Sequence, residues 1–464
     1  MSHLARVDLP DFGRDAVRPE IPARIHLQRL AAAAARTDRS GLDALVIYAD
    51  REHCANLAYL TGFDPRFEEA LLLLRADGSA QLLVGNECMG YLPDEALGLA
   101  VERFQDFSLP GQPRSQSRPL REILRAFGIT TGARVGCAGW KPLDARLAGA
   151  ASSATASAME IPAYIVDALR ELSGSSERIV NANAIFVNPA DGLRLRNEPE
   201  QIAAFEYAST RTSDGVRRLL QRLAPGAREC DLEAELRADG LPLSCHRMIG
   251  FGDKVRRGLA SPSDRPAQLG DPFTTAFGVV GALTCRAGCV AHGADDLPRA
   301  TRDFYDAFAR NYFDVIATWY RSLRIGVTGG EVFAAVDARR DPALFEFALN
   351  PGHFLHLDEW LHSPFAAGSN VQLASGAALQ ADIIPVSAGP FCYSNAEDGI
   401  VLADGTLRAV LAQDFPACWQ RIEARRAFMR DTLAIELDGS VLPLSNIPAW
   451  LAPFALDLDH ALVA

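Results

Sequence analysis

The segment PGHFLHLDE (351–359) carries four residues of types that perform acid–base chemistry, namely His353, His356, Asp358 and Glu359. A histidine beside carboxylates can give and take protons near neutral pH, because burial and neighbouring charges separate the pKa values of such groups. The two histidines share one face if the segment is helical and lie on opposite faces if it is a strand. We therefore take His353 and His356 as candidates for a site.

The two acids of this segment have a plainer interpretation. Asp358 and Glu359 are adjacent, and adjacent acids are usually solvated loop charges. His246, farther upstream, is a further candidate for substrate binding, whereas His356 alone favours a structural role.

Arg286 stands between Cys285 and Ala287 in a run of small and apolar residues. An arginine buried in a strand requires an acidic partner. Asp382 and Glu397 are the candidate partners. Such an ion pair would give a pocket a positive centre and would make Arg286 a candidate for binding an anionic substrate group.

The nine cysteines are scattered, odd in number and without a CxxC spacing. This pattern favours reduced thiols over a disulfide framework or a zinc site. Cys285 and Cys289 share one face of a predicted strand, where small buried residues are expected.

The formal net charge of -12 and the pI near 5.3 provide no basic field for phosphates or anionic lipid. The sequence therefore predicts neither a nucleic-acid partner nor a membrane partner. The N-terminal residues lack an apolar core of the signal-peptide type, and no run of about 18 apolar residues occurs. We expect a cytoplasmic protein that acts on a small molecule.

The first part of the chain alternates short apolar runs with helical patterns, which predicts an α/β domain over residues 1–188. Asp50 to His53 follow a predicted strand, where pockets of α/β sheets form, so His53 is an additional candidate. The predicted helices are 22–39, 118–127 and 162–173, and the predicted strands are 43–48, 70–75, 81–85, 134–138 and 178–186.

Periodicity disappears around Val187 to Arg196, and a long amphipathic helix then runs from Glu198 to about Leu223. We place the domain boundary there and predict an α+β domain over 189–464, because helices and strands come in clusters. The predicted helices are 230–239, 299–323, 330–348 and 415–434, and the predicted strands lie within 272–290, 378–387 and 399–403.

Two parts of the chain resemble the creatinase and aminopeptidase P superfamily. In the first domain, GLDALVIYADREHCANLAYLTGF (41–63) is similar to the opening of creatinase-type proteins. In the second domain, five motifs follow one another in the order and at the separations found in the family. This similarity implies the pita-bread fold. These motifs are LAPGARECDLEAEL (223–236), LGDPFTTAFG (269–278), NPGHFLHLDE (350–359), LQADIIP (379–385) and NAEDGIVLADG (395–405).

The resemblance implies a site in which metallopeptidases hold two divalent ions by two Asp, one His and two Glu. The two Asp positions fall on Ala276 and near Leu283, and neither side chain binds a hard cation. The remaining positions fall on His353, Asp382 and Glu397. Two carboxylates hold at most one divalent ion, so a two-metal mechanism is not expected. We expect no cofactor or a single weakly bound divalent metal on these three residues.

Creatinase cleaves a carbon–nitrogen bond without metal, but its site is also incomplete here. The histidine that serves there matches Ala260–Ser261, and the carboxylate on the following strand matches Cys285. The resemblance further implies a dimer or higher oligomer, with a homodimer expected, in which the first domain of one subunit lies near the pocket of the other. Arg66 and Phe67 match the residues that reach into that pocket, where an Arg can clamp a carboxylate.

The combined interpretation is a hydrolase of a carbon–nitrogen bond in a small molecule, metal-independent or with one metal. His353 would shuttle protons while Asp382 and Glu397 orient substrate or water, and Arg66 or Arg286 would bind an anionic group. Two alternatives stay open. One is a non-catalytic relative that only binds a ligand, and the other is an Xaa-Pro metallo-aminopeptidase or dipeptidase with unusual ligands.

Overall fold

The computed structural model describes residues 2–143, 158–258, 260–387, 389–391 and 395–464. The chain divides into two compact units, of which the first is Ile21–Arg194. The second unit combines Leu195–Ala464 with the N-terminal segment that ends at Glu20. The predicted division at residues 188 and 189 placed that N-terminal segment in the first domain, and the structure groups it with the second unit.

The N-terminal segment joins the second unit through a strand pair and a buried ion cluster. Strand β1, His3–Arg6, pairs antiparallel with the last strand of the chain. Arg421 contacts Asp15 and, at 2.7 Å, the fully buried Glu206. The strand pair and the contact between Arg421 and Asp15 join residues more than 400 positions apart, so local sequence patterns do not predict them.

The first unit is built around one six-stranded mixed sheet in the order β5-β4-β3-β2-β6-β7. Its central strands are buried on both faces, as their unbroken apolar runs predict. Its strands are β2 Ala44–Ala49, β3 Ala70–Arg75, β4 Ala80–Val84, β5 Ala100–Arg103, β6 Val135–Ala138 and β7 Ile179–Asn181. Its helices are α1 Ala23–Arg39, α2 Ala55–Thr61, α3 Leu120–Ala126, α4 Ala163–Ser173 and α5 Ala184–Val187.

The second unit contains a seven-stranded antiparallel sheet in the order β12-β13-β15-β10-β9-β8, with β16 also paired to β15. Helix α6 packs against β9 and β10 of this sheet. The strands are β8 Met248–Phe251, β9 Pro272–Val279, β10 Ala282–Cys289, β11 Glu346–Phe347, β12 His353–Phe354, β13 Ala378–Ile383, β14 Pro385–Val386, β15 Ala396–Leu402, β16 Val441–Pro443 and β17 His460–Val463. The helices are α6 Pro199–Arg222, α7 Glu229–Glu233, α8 Arg310–Ser322, α9 Gly329–Arg339, α10 Gly405–Asp414 and α11 Pro416–Asp431.

Most predicted elements are present, although some end earlier than predicted and helices α5 and α10 occur where no helix was predicted. The helix predicted over 330–348 ends at Arg339, because Pro342 follows and disfavours helical geometry in the residue before it. The strand predicted over 178–186 ends at Asn181, and α5 follows it. Helix α10 was not predicted, although the Asp404 side chain caps it by accepting from Leu407 N at 2.9 Å.

The described cysteines are free thiols, and Cys392 lies outside the described residues. Among the described residues, no helix combines the length and the apolar character needed to cross a membrane.

Candidate active site

A row of laterally paired residues crosses the sheet of the second unit and forms the floor of the candidate site. Strand register places Met248 beside Ala276, Ala276 beside Cys285, Cys285 beside Glu397, and Glu397 beside Asp382. Residues paired directly across antiparallel strands point to the same face of a sheet. The row therefore brings two acids and a thiol together from residues up to 112 positions apart along the chain.

His353 reaches the same face from the edge strand β12. It pairs with Gln380, which lies two residues before Asp382 on β13 and thus shares its face. The chain then turns back, and Phe354 N donates to His362 O at 2.7 Å. This turn returns Glu359 and Trp360 to His353, and the indole ring stacks on the imidazole with centroids 4.2 Å apart.

Three carboxyl groups surround the Nε2 atom of His353. Glu359 Oε1 lies at 3.2 Å, Glu397 Oε1 at 3.5 Å and Asp382 Oδ2 at 4.0 Å. The imidazole is fully buried, and Asp382 and Glu397 are 5% and 4% exposed. Several ionised acids are costly to bury without a counter-charge, so a cation, either imidazolium or a metal ion, stabilises the cluster.

The donor set fits one metal ion. Ligand atoms of His353, Glu359 and Glu397 all lie within 4.8 Å of one another. Within the described part of the chain, the buried oxygens Asp382 Oδ1 and Glu397 Oε1 have no hydrogen-bond partner. Imidazole and carboxylates are the ligands of zinc and similar ions, and unsatisfied buried oxygens are the groups that such an ion would satisfy.

The protonation of the cluster without a metal is uneven. Burial by itself lowers the pKa of His353, but the adjoining carboxylates of Glu359 and Glu397 outweigh burial and raise that pKa to about 10. Burial raises the pKa of Asp382 to about 6, and burial together with Asp382 raises the pKa of Glu397 well above its usual range. Although burial acts to raise the pKa of Glu359, the contact of this acid with His353 outweighs burial, so the pKa is lowered overall. Acids separated in this way suit acid–base chemistry.

Cys285 adjoins the acids from the apolar side of the site. Its Sγ donates to Glu397 Oε2 at 2.9 Å. Met248, Ala276 and Leu283 pack with Cys285 in one apolar cluster, against which Cys245 also packs. The half of the site toward β8 and β9 is therefore apolar.

The predicted ion pair between Arg286 and Asp382 or Glu397 is wrong. The Arg286 guanidinium pairs with Asp398 at 2.9 Å and also donates to Trp450 O at 2.9 Å. Neighbours along a strand point to opposite faces, so Arg286 and Asp398 share the face opposite Cys285 and Glu397. Arg286 is 2% exposed and its donors are engaged, which excludes it from substrate binding.

Among the described residues, the ligand group of His353, Glu359 and Glu397 does not include the other two predicted histidines. His356 is fully buried and packs edge-to-face on Phe205, with centroids 5.4 Å apart. His246 is exposed, between Cys245 and Arg247. A substrate-binding role for either residue stays a prediction.

Glu359 is the site residue that sequence reasoning missed. It was interpreted as a solvated loop charge, yet it is the acid nearest to His353. The turn between Phe354 and His362 was the decisive feature, and its sequence contains no Gly or Pro that would have marked it.

The structure also changes which residue of this chain matches the second Asp of the metallopeptidases. Leu283 pairs with Gly278, whereas Cys285 pairs with Ala276 and Glu397. Cys285 rather than Leu283 therefore occupies the row beside the acids, while Ala276 stays at its predicted position.

Arg66, Phe67 and His53 are the candidate residues of the first unit. Arg66 has a positive φ of 59°, and its guanidinium lies 4.6 Å from the centre of the Tyr91 ring. Phe67 is 49% exposed. His53 Nδ1 lies 3.1 Å from Asp50 Oδ1, and its ring packs on Trp140 with centroids 4.6 Å apart.

Comparison with known proteins agrees with this architecture. Residues 29–138 match the Creatinase/Prolidase N-terminal domain family. No curated protein shows a significant match. The dipeptidase PepE from Mycobacterium ulcerans is 21% identical with a TM-score of 0.60, over 84% of this chain and 95% of its own. The chain has the fold of the creatinase and aminopeptidase P superfamily.

Two further solved structures share the creatinase and aminopeptidase P fold. The prolidase from Pyrococcus horikoshii is 15% identical with a TM-score of 0.60, over 81% of this chain and 95% of its own. A variant of aminopeptidase P from Escherichia coli is 19% identical with a TM-score of 0.57, over 83% of this chain and 93% of its own. The predicted fold class, an α/β domain followed by an α+β pita-bread domain, is confirmed. These structural neighbours are hydrolytic enzymes by name.

Proposed function

We propose that this chain is a hydrolase of a carbon–nitrogen bond in a small molecule and that it works with a single divalent metal ion. The observation that carries the proposal is the convergence of His353, Glu359 and Glu397 ligand atoms within 4.8 Å. Ala276 stands where a further acid would be needed for a second ion. A bound ion would supply Lewis-acid polarisation of the oxygen on the scissile carbon.

The chain's own residues account for the proton transfers of such a reaction. Asp382 adjoins the three ligands and remains as a proton carrier, since it lies 4.0 Å from His353 Nε2 without belonging to the ligand group. Its carboxylate takes a proton from the attacking water and returns it to the leaving nitrogen, so one water is consumed and one amine is released. The apolar half of the site around Met248 and Leu283 excludes bulk water.

Substrate screening should begin with dipeptides, because structural neighbours are named as a dipeptidase and as prolidases. Creatine-like and acylated small molecules form the second group. Amine release would be measured on chelator-treated protein before and after addition of one equivalent of zinc, cobalt or manganese. Activity that appears only with an ion supports the proposal, and activity unaffected by chelation would contradict the role of the metal.

The decisive variant is His353→Ala, with His292→Ala as its control. His292 also contacts an acid, Asp296, but its side chain is 69% exposed. We expect His353→Ala to abolish amine release and His292→Ala to retain it. Amine release by no tested substrate, or full activity in His353→Ala, would contradict the proposed function.

A homodimer belongs to the same proposal, with Arg66 of one copy binding an anionic group of the substrate in the site of the other. Phe67 lies beside Arg66 in the sequence and is 49% exposed. Arg66→Ala should raise KM for substrates with a carboxylate more than for neutral amides. Light scattering after gel filtration would test the dimer, and a monomeric active protein would refute this part.

A further inference from the structure

Cys285 shares an acid with the candidate metal site. Its Sγ lies 2.9 Å from Glu397 Oε2, while the other oxygen, Oε1, lies 3.5 Å from His353 Nε2. The thiol therefore borders the same carboxylate that faces the imidazole. Cys285 is 2% exposed, so solvent does not compete for the sulfur.

Strand register fixes the thiol beside the acids. Cys285 pairs with Ala276 on one side and with Glu397 on the other, so its backbone is held from two strands. The apolar cluster of Met248, Ala276 and Leu283 contains no oxygen or nitrogen ligand in its side chains. Glu397 is thus the polar group toward which the sulfur is directed.

A second observation shows that the site is prepared for a cation and is not merely a packed thiol. Asp382 Oδ1 and Glu397 Oε1 are buried, and neither has a hydrogen-bond donor among the residues that the structure describes. If burial of the cysteine were the whole explanation, these oxygens would remain unsatisfied at a substantial cost. An ion held by His353, Glu359 and Glu397 would satisfy Glu397 Oε1, on the carboxylate whose other oxygen contacts the sulfur.

We infer that Cys285 contributes a thiolate ligand to the metal ion held by His353, Glu359 and Glu397. This inference rests on the single-metal form of the proposed function. Coordination breaks the S–H bond and forms a sulfur–metal bond, the proton leaves to solvent, and no atom is oxidised or reduced. A thiolate favours zinc and cobalt over manganese and magnesium, which prefer oxygen ligands. The site is therefore selective for borderline-soft ions.

The test uses the full chain, freed of metal with a chelator and titrated with Co²⁺ without oxygen. A thiolate bound to Co²⁺ gives a near-ultraviolet charge-transfer band that oxygen and nitrogen ligands do not give. We expect this band to saturate at one equivalent in the wild-type protein. In Cys285→Ser the band should be absent and Co²⁺ affinity should fall at least about tenfold, the lower end of the loss caused by changes around a metal site.

Cys418→Ala is the matched control, because Cys418 is also buried but packs in a different apolar cluster. It should keep the band and the affinity. Mn²⁺ affinity should change less than Co²⁺ affinity in Cys285→Ser. Circular dichroism of each variant would confirm that it is folded.

Four outcomes bear on this inference, and the first and last distinguish it from the proposed function. One bound Co²⁺ that is lost in His353→Ala but gives no sulfur band overturns the thiolate ligand and leaves the single-metal site. An unchanged band in Cys285→Ser also overturns it. If the wild-type protein binds no ion, the thiolate ligand and the single-metal form fail together. A sulfur band without hydrolysis of any substrate supports the ligand and counts against the proposed reaction.

Discussion

Glu359 shows how a single side chain changes the charge of the site. Matching to the superfamily left only two carboxylates beside His353, whereas Glu359 adds a third at 3.2 Å from Nε2. Glu359 and Glu397 then neutralise one divalent ion, and the site keeps Asp382 outside the ligand group. It does not acquire the four acids that two ions require.

Glu359→Gln tests this contribution. The amide keeps the shape of the side chain but removes its charge, so the affinity for a divalent ion should fall at least about tenfold. Isothermal titration with Zn²⁺ would measure the change. Glu423→Gln, which removes an acid paired with Arg426 on the surface, should bind Zn²⁺ like the wild type. Equal affinity in Glu359→Gln would show that the turn residue is not a ligand.

The ion pair between Arg286 and Asp398 is a structural feature on the far face of the same strands. Its two side chains are each 3% exposed, and Ala449 N also donates to Asp398 Oδ2 at 3.0 Å. Removing one member of such a pair leaves a charge buried without compensation.

Asp398→Ala should therefore lower the free energy of unfolding of the second unit by about 3–5 kcal/mol. Four of the five tryptophans lie in that unit, so urea unfolding followed by tryptophan fluorescence measures it. Asp431→Ala, which breaks an exposed pair with Arg430, should leave the midpoint unchanged. A similar midpoint in both variants would mean that the Arg286 pair does not stabilise the unit.

At the scale of the element, the row across β8, β9, β10, β15 and β13 decides what the site can hold. The strand register makes Ala276, Cys285 and Glu397 lateral neighbours. A shift of one residue would point every one of these side chains to the other face. The row of paired residues is therefore intact, and Ala276 and Cys285 occupy the two positions of the row at which the metallopeptidases of the superfamily have acids.

Acids restored at these two positions should create a second metal site. The double variant Ala276→Asp with Cys285→Asp should bind two equivalents of Mn²⁺ after gel filtration, because each new carboxylate lies beside the next residue of the row. Cys285→Asp alone should bind one equivalent, measured by elemental analysis. One equivalent in a folded double variant would show that the row does not govern metal number.

At the scale of the whole molecule, the two units are each built around their own sheet. The first unit has its own apolar core, which includes Val46, Leu73 and Leu169. The second unit depends on the N-terminal segment, since β1 pairs with β17 and Asn446 Nδ2 donates to Gly13 O at 3.0 Å.

A truncated chain that begins at Ile21 should lose stability in the second unit alone. We expect its thermal midpoint to fall by at least about 2–4 °C, the shift that one kcal/mol causes in domains of this size. Hydrogen exchange should increase in β17 and not in β2. Faster exchange in β2 would show that the segment stabilises the first unit instead.

The sequence by itself determined the elements and the fold. Unbroken apolar runs such as 70–75 predicted central strands, and the Ala-rich stretch after Pro22 predicted α1, because these signals arise from neighbours along the chain. The ordered motifs of the second domain identified His353, Asp382 and Glu397, which the structure brings together around one atom.

Only the tertiary structure decided the partners of these residues. Whether Arg286 meets Asp382 or Asp398 depends on strand register, and whether Glu359 faces solvent or His353 depends on one turn without Gly or Pro. The thiol of Cys285 gained its acid from a strand 112 residues away. Contacts between distant segments depend on packing of the whole sheet, and no local pattern of residue types records them.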